Sequence, residues 1–152
     1  MANNVSAPFA RHGALSESRQ ATRYLVPLGR LLFSVIFLLS VPMHFTQAGI
    51  GHAAAAGLPM ASILVPLAGI LELVGAVLLL TGYHARLGAA LLALFLIPVT
   101  LVMHKFWGIS DPMQTQMQQV NFMKNLALLG ATCLIMYFGA GPLSLDERAG
   151  RS

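Results

Sequence analysis

Four long apolar stretches, separated by short segments rich in Gly, Pro and polar residues, dominate the chain: Tyr24 to Met43, Met60 to Gly82, Leu87 to Met103 and Val120 to Ala140. A hydrocarbon layer of about 30 Å needs roughly 20 apolar residues in a helix to cross it, and these runs approach that length. The pattern predicts an all-α membrane protein, a four-transmembrane-helix bundle occupying 23–142. Residues 1–22 are polar and aperiodic and read as a flexible cytoplasmic tail; 143–152 form a second short tail. Pro98 is expected to kink the third span, and Pro66 sits early in the second, where its missing N–H matters less.

Composition supports this class. Hydrophobic residues make up 57% of the 152 and charged ones 9%, with a mean hydropathy of +0.73. Too few polar side chains remain to coat a soluble globule, so the main partner of this surface is the lipid bilayer. Reading the first run as a cleaved signal peptide is disfavoured: its apolar length exceeds the roughly 7–15 residues usual for such a segment, and it contains Arg30 and Pro27.

Charge sets orientation. Arg11, Arg19 and Arg23 precede the first span, Arg86 lies between the second and third, and Arg148 and Arg151 follow the fourth, whereas Lys105 is the clear basic residue of the opposite side. Basic residues favour the cytoplasmic side, which predicts that both termini are cytoplasmic. The net charge of +4 then has a topological origin. No basic stripe with interleaved aromatics appears, so nucleic acid is not an expected partner.

Short echoes suggest a duplicated helical hairpin. Gly29-Arg30-Leu31 parallels Ala85-Arg86-Leu87, Met43-His44-Phe45 parallels Met103-His104-Lys105-Phe106, and Leu73-Val74-Gly75-Ala76 parallels Leu128-Leu129-Gly130-Ala131. Gly75 and Gly130 are accordingly expected at the bundle centre, where small residues let helices approach. The methionines read as gap-fillers.

Two ionisable groups, Arg30 and Glu72, fall inside apolar runs, where an unpaired charge is costly unless it faces a bundle interior. Counting about 1.5 Å per residue from the cytoplasmic ends places them within reach of each other. A buried Arg30–Glu72 pair is the economical expectation, either as a structural clasp or as the catalytic or orienting charges of an interior site. A second cluster is expected at the outer ends of the spans: His44 closing the first, His104 closing the third, and Lys124 with Asn125 opening the fourth. Gln47, His52, Trp107 and Gln119 could join them. Taken singly, each suits the headgroup region; together they could surround an anionic or quinone-like group. No metal site is expected, because two His without a carboxylate or thiolate companion at ligand spacing make a poor haem or metal set. Ala48 to Gly57 reads as a short interfacial or re-entrant turn and Asp111 to Gln119 as a short helix on the outer surface. Cys133 is the single cysteine, which excludes an intrachain disulfide or a two-cysteine relay.

Gly29-Arg30-Leu31-Leu32-Phe33, Ala56-Gly57-Leu58-Pro59-Met60, Gly69-Ile70-Leu71-Glu72-Leu73-Val74-Gly75 and Phe122-Met123-Lys124-Asn125-Leu126 together resemble the DoxX family of bacterial four-helix inner-membrane proteins, over about Tyr24 to Asp146. The resemblance implies a multi-pass inner-membrane location and a quinone-linked or redox-accessory role, as a subunit of an oxidoreductase whose electron donor is a soluble partner protein. A quinone is the one cofactor it suggests. A non-enzymatic scaffold for a redox enzyme and a small-molecule permease are the alternatives, and a homo-oligomer is compatible with each.

Overall fold

The computed structural model describes residues 22–151, so the expected N-terminal tail, apart from Thr22, lies outside the described residues. Helix α1 (Leu25–Ser40) runs into a 3-10 turn (Val41–Phe45), then come a short helix α2 (Gln47–Ala55), the long helices α3 (Ala61–Thr81), α4 (Ala85–Met103) and α5 (Pro112–Phe138), and a single turn α6 (Leu145–Arg148). Four segments are long and apolar enough to cross a membrane: Leu25–Phe45, Ala61–Thr81, Ala85–Met103 and Pro112–Phe138. The expected four-helix architecture is therefore present, with no strand among the described residues.

Leu39, Leu94 and Leu134 stand 60–77% exposed on the outer faces of these helices. In water such faces would be costly; in a bilayer they are the solvated surface.

The helices pack in a row, α1 on α3, α3 on α4 and α4 on α5, while α1 and α5 scarcely touch. The core between them is made of Phe37, Ala76, Leu79, Ala89, Leu92, Phe95 and Leu96. Gly75 and Gly88 set the α3–α4 distance: a Cβ on Gly75 would lie 2.9 Å from Leu92 Cγ and 3.1 Å from the Gly88 carbonyl oxygen. Gly130 departs from its expected place at the bundle centre, because a Cβ there would meet nothing within 4 Å. The proposed repeat therefore aligns the arginines and histidines at matching ends of the bundle but not the small-residue faces.

A contrast in stability follows. Gly75→Ala should destabilise by about 1–3 kcal/mol through overpacking against backbone. Gly130→Ala should be neutral or stabilising by up to about 1 kcal/mol, the helix-propensity difference. Thermal melting of both variants in one detergent checks the sign of each.

Two connections differ from expectation in informative ways. Residues 111–119 are not a separate surface helix but the first turns of α5, which Asp111 starts by accepting the Gln114 N–H at 2.8 Å. No Pro follows Pro112 in the helix and Gly130 does not break it, so it continues for 27 residues, about 40 Å. That exceeds a hydrocarbon core of about 30 Å, so its polar first turns project beyond the lipid. Between α1 and α3, the expected interfacial turn is a nine-residue helix whose Thr46 cap accepts the Gly49 N–H at 3.0 Å.

The end of the bundle that holds Arg30, Arg86, Arg148 and Arg151 is closed by the segment after Gly139. Arg30 donates to the carbonyl of Ala140 at 2.5 Å and to that of Leu143 at 2.7 Å. Asp146 accepts the backbone N–H groups of His84 and Ala85, each at 2.9 Å, and so caps the start of α4 from 61 residues away. Gly82 completes the closure with φ of +64°, at a spot where a Cβ would lie 3.0 Å from the Arg30 guanidinium. The start of α1 and the C-terminal segment thus share one end of the bundle.

Candidate functional site

The 3-10 turn at Val41–Phe45 is what builds the site. Pro42 has no N–H to continue the α-helical ladder, so the chain tightens and folds His44 back toward α3. Gly69 makes the room, since a Cβ there would come within 2.6 Å of the His44 Cβ. The imidazole rests edge-on to Phe95, ring centroids 5.6 Å apart.

Glu72 is 1% exposed. One carboxylate oxygen, Oε1, lies 2.5 Å from the Ser40 hydroxyl, which donates to it. The same hydroxyl lies 2.8 Å from the Phe37 carbonyl, so its one proton is shared between two acceptors. His44 Nδ1 lies 3.3 Å from the other oxygen, Oε2. It is equally 3.3 Å from the Ser40 carbonyl, with which it has hydrogen-bond geometry. A carbonyl only accepts, so Nδ1 carries the hydrogen and Nε2 is left without one in the neutral ring. Oε2 of Glu72 consequently has no hydrogen-bond partner among the described residues.

The expected Arg30–Glu72 pair is not formed. Arg30 is ten residues before Ser40, the residue level with Glu72, and Glu72 is ten residues before Gly82, the residue level with the Arg30 guanidinium. Ten helical residues are about 15 Å. The guanidinium reaches away from the carboxylate, toward the carbonyls of Ala140 and Leu143, and Arg30 is a structural clasp rather than part of the interior site.

A cavity of about 370 Å³ opens beside Glu72. Its lining includes Ser40, His44, Glu72, His52, His104, Lys124 and Asn125, with Phe37, Val65, Phe95, Leu96 and Leu128 as apolar walls. The interior carboxylate and the outer cluster, expected as two separate features, thus line one chamber between α1 and α5. Sites of this kind are typically 300–1,000 Å³, mostly apolar, with a few converging polar groups.

Because α5 begins at Pro112, Lys124 and Asn125 lie twelve and thirteen residues into the helix, about 18–20 Å from its start, of which the projecting first turns take up about 10 Å. Asn125 is 5% exposed and its side chain has no hydrogen-bond partner among the described residues. His104 closes α4 as expected, and its Nδ1 lies 2.9 Å from Gln118 Oε1 of the opposite helix. His52 reaches the rim from α2. Trp107 instead packs with Phe106 and Phe122, centroids 5.4 and 6.0 Å away, and Gln47 and Gln119 do not line the chamber. Among the described residues no group of three metal-ligating side chains converges.

Sequence reasoning missed Ser40, Gln118 and Asp146. Ser40 had one usable signal, its place two residues before Pro42, where the helix must change pitch. Gln118 and Asp146 meet partners distant in sequence and carried none.

Fold and chamber define a polytopic membrane protein with a polar-floored pocket at membrane depth. The SURF4 family model matches residues 1–151, and the chain belongs to the SURF4 family. It is similar to the inner membrane protein YphA of Escherichia coli (strain K12), 26% identical over 139 residues, which are 91% of this chain and 97% of that protein. No solved structure matches it. The chain is a multi-pass inner-membrane protein.

Proposed function

We propose that the chamber binds a quinone, or a ligand with a comparably small ring and polar edges, and that the protein acts in a quinone-linked, redox-accessory role. The observation that carries this reading is the free Oε2 of Glu72, a buried polar atom lacking a partner in the wall of a chamber of about 370 Å³. An unsatisfied buried polar atom costs about 1–3 kcal/mol, which a bound polar group recovers. The sparse contact between α1 and α5 supports ligand arrival sideways from the bilayer, where quinones dissolve. The DoxX-like segments noted in the sequence add to the same reading, since two of them contain Glu72 and Lys124 with Asn125. Electrons would have to come from a partner protein, and the projecting first turns of α5, with Met113, Gln116 and Met117 beside a shallow hollow, are where a soluble partner would dock.

In this reading Lys124 donates to a ligand oxygen while making no structural bond of its own among the described residues. Lys124→Ala should leave the melting temperature nearly unchanged and weaken binding of decylubiquinone about tenfold, equivalent to about 1.4 kcal/mol. Equilibrium binding in detergent checks it, and full-strength binding by the variant would count against the site.

The arginine-bearing end of the bundle is proposed to be cytoplasmic. Reporter fusions to both termini should be active only in the cytoplasm; a terminus active on the far side would reverse the orientation and move the chamber rim inward.

A further inference from the structure

With Glu72 as the carboxylate, the floor of the chamber presents acceptors and no free donor. Glu72 Oε1 already receives the Ser40 hydroxyl, and the His44 Nδ1 hydrogen is committed to the Ser40 carbonyl. What remains to meet a ligand is Oε2, unpartnered on a residue that is 1% exposed. A quinone carbonyl set against it would place two acceptors face to face. A ring hydroxyl would donate.

Across the chamber stands Asn125, also without a side-chain partner among the described residues and 5% exposed. Asn125 on α5 and Glu72 on α3 line the same chamber. An amide both donates and accepts, and Lys124 beside it donates. Phe37 and Phe95 supply apolar wall between the two polar sides. A six-membered ring with oxygens on opposite edges spans such a slot.

Resting on the proposed quinone-linked reading, we infer that the chamber selects the reduced, hydroxyl-bearing form of its ligand: a quinol, one hydroxyl donating to Glu72 Oε2 and the other meeting Asn125 and Lys124. Ser40 and His44 are positioning residues that hold the carboxylate in this orientation. The selection is a matter of hydrogen-bond complementarity alone, and no electron moves in it.

The test uses the full chain in detergent, with duroquinol kept reduced under argon, duroquinone, and the dimethyl ether of duroquinol, which has the same ring but no hydroxyl hydrogen. Duroquinol should bind at least tenfold more tightly than duroquinone, and the ether should not displace it. In Glu72→Gln the amide keeps an oxygen for Ser40 and places an NH2 where Oε2 was, so the preference should reverse toward duroquinone. Duroquinone binding as well as duroquinol, effective displacement by the ether, or an unchanged preference in Glu72→Gln would each overturn the inference while leaving quinone binding in place. If none of the ring compounds binds, the quinone reading falls and this one with it. Should Glu72→Gln not fold, displacement by the ether on the unmodified chain decides alone.

Discussion

Arg30→Leu should destabilise the bundle by about 3 kcal/mol or more, and the loss should appear first as loosening of the C-terminal segment. The guanidinium is 5% exposed and donates to the Ala140 and Leu143 carbonyls. Hydrogen bonds from charged groups contribute about 1.5–3 kcal/mol each, and removing the donor leaves two acceptors unmatched. Arg30→Lys should recover only part, because an ammonium lacks the fork that reaches both carbonyls. Limited proteolysis after Gly139, run beside thermal melting, should show the segment becoming accessible. The same substitution addresses Glu72. Sites about 15 Å apart with no shared partner behave additively to within about 0.5 kcal/mol, so Arg30→Leu and Glu72→Gln should add in the double variant. Strong coupling between them would mean that the two charges do meet.

The second large effect belongs to Asp146. Its carboxylate satisfies two N–H groups at the start of α4 and lies 3.8 Å from Arg151, which also stacks 5.3 Å over the Tyr83 ring. A lost helix cap costs about 0.5–2 kcal/mol, and this one serves two donors through a charged acceptor, so Asp146→Ala should cost on the order of 3 kcal/mol. Burial by itself would raise the Asp146 titration, but the Ala85 and His84 N–H bonds, with His84 and Arg151 nearby, bring it below its ordinary value of 3.8. A lowered carboxyl gives stability that is complete above its ordinary range and fades as pH falls through the folded value. The native chain should therefore lose stability in acid below about pH 4 through this group, a component that melting curves of Asp146→Ala should lack.

These two contacts also mark the boundary of what the residues disclosed. The four spans were legible because lipid imposes one strong rule, about 20 apolar residues per crossing, and their inner ends fall within a few residues of the expected ones. Glu72 was legible because a carboxylate in such a run has few explanations. His104, His44, Lys124 and Asn125 were placed on one face of the membrane by span counting, and the structure brings them into one chamber with Glu72. Arg30 was misassigned because its acceptors are backbone carbonyls, which every residue carries and no side-chain pattern announces. His44 closes the first span as expected, but the inward fold of its ring was not legible, because the consequence of Pro42, a tightened turn, depends on Gly69 of another helix making room. The helix start at Asp111-Pro112 was legible, but its Gln-rich turns read as a separate surface helix when only hydropathy is weighed, although nothing in them breaks α5.

The chamber should hold a resident ring-bearing ligand between Glu72 and α5. The most direct measurement is solvent extraction and mass spectrometry of the chain purified from native membranes in mild detergent, beside Ala68→Phe, which fills the chamber from α3 and leaves every polar side chain of its lining unsubstituted. The unmodified chain should release a quinone-class molecule in near-stoichiometric amount and Ala68→Phe should release little. Phospholipid alone from the unmodified chain, or equal quinone from both, would contradict it.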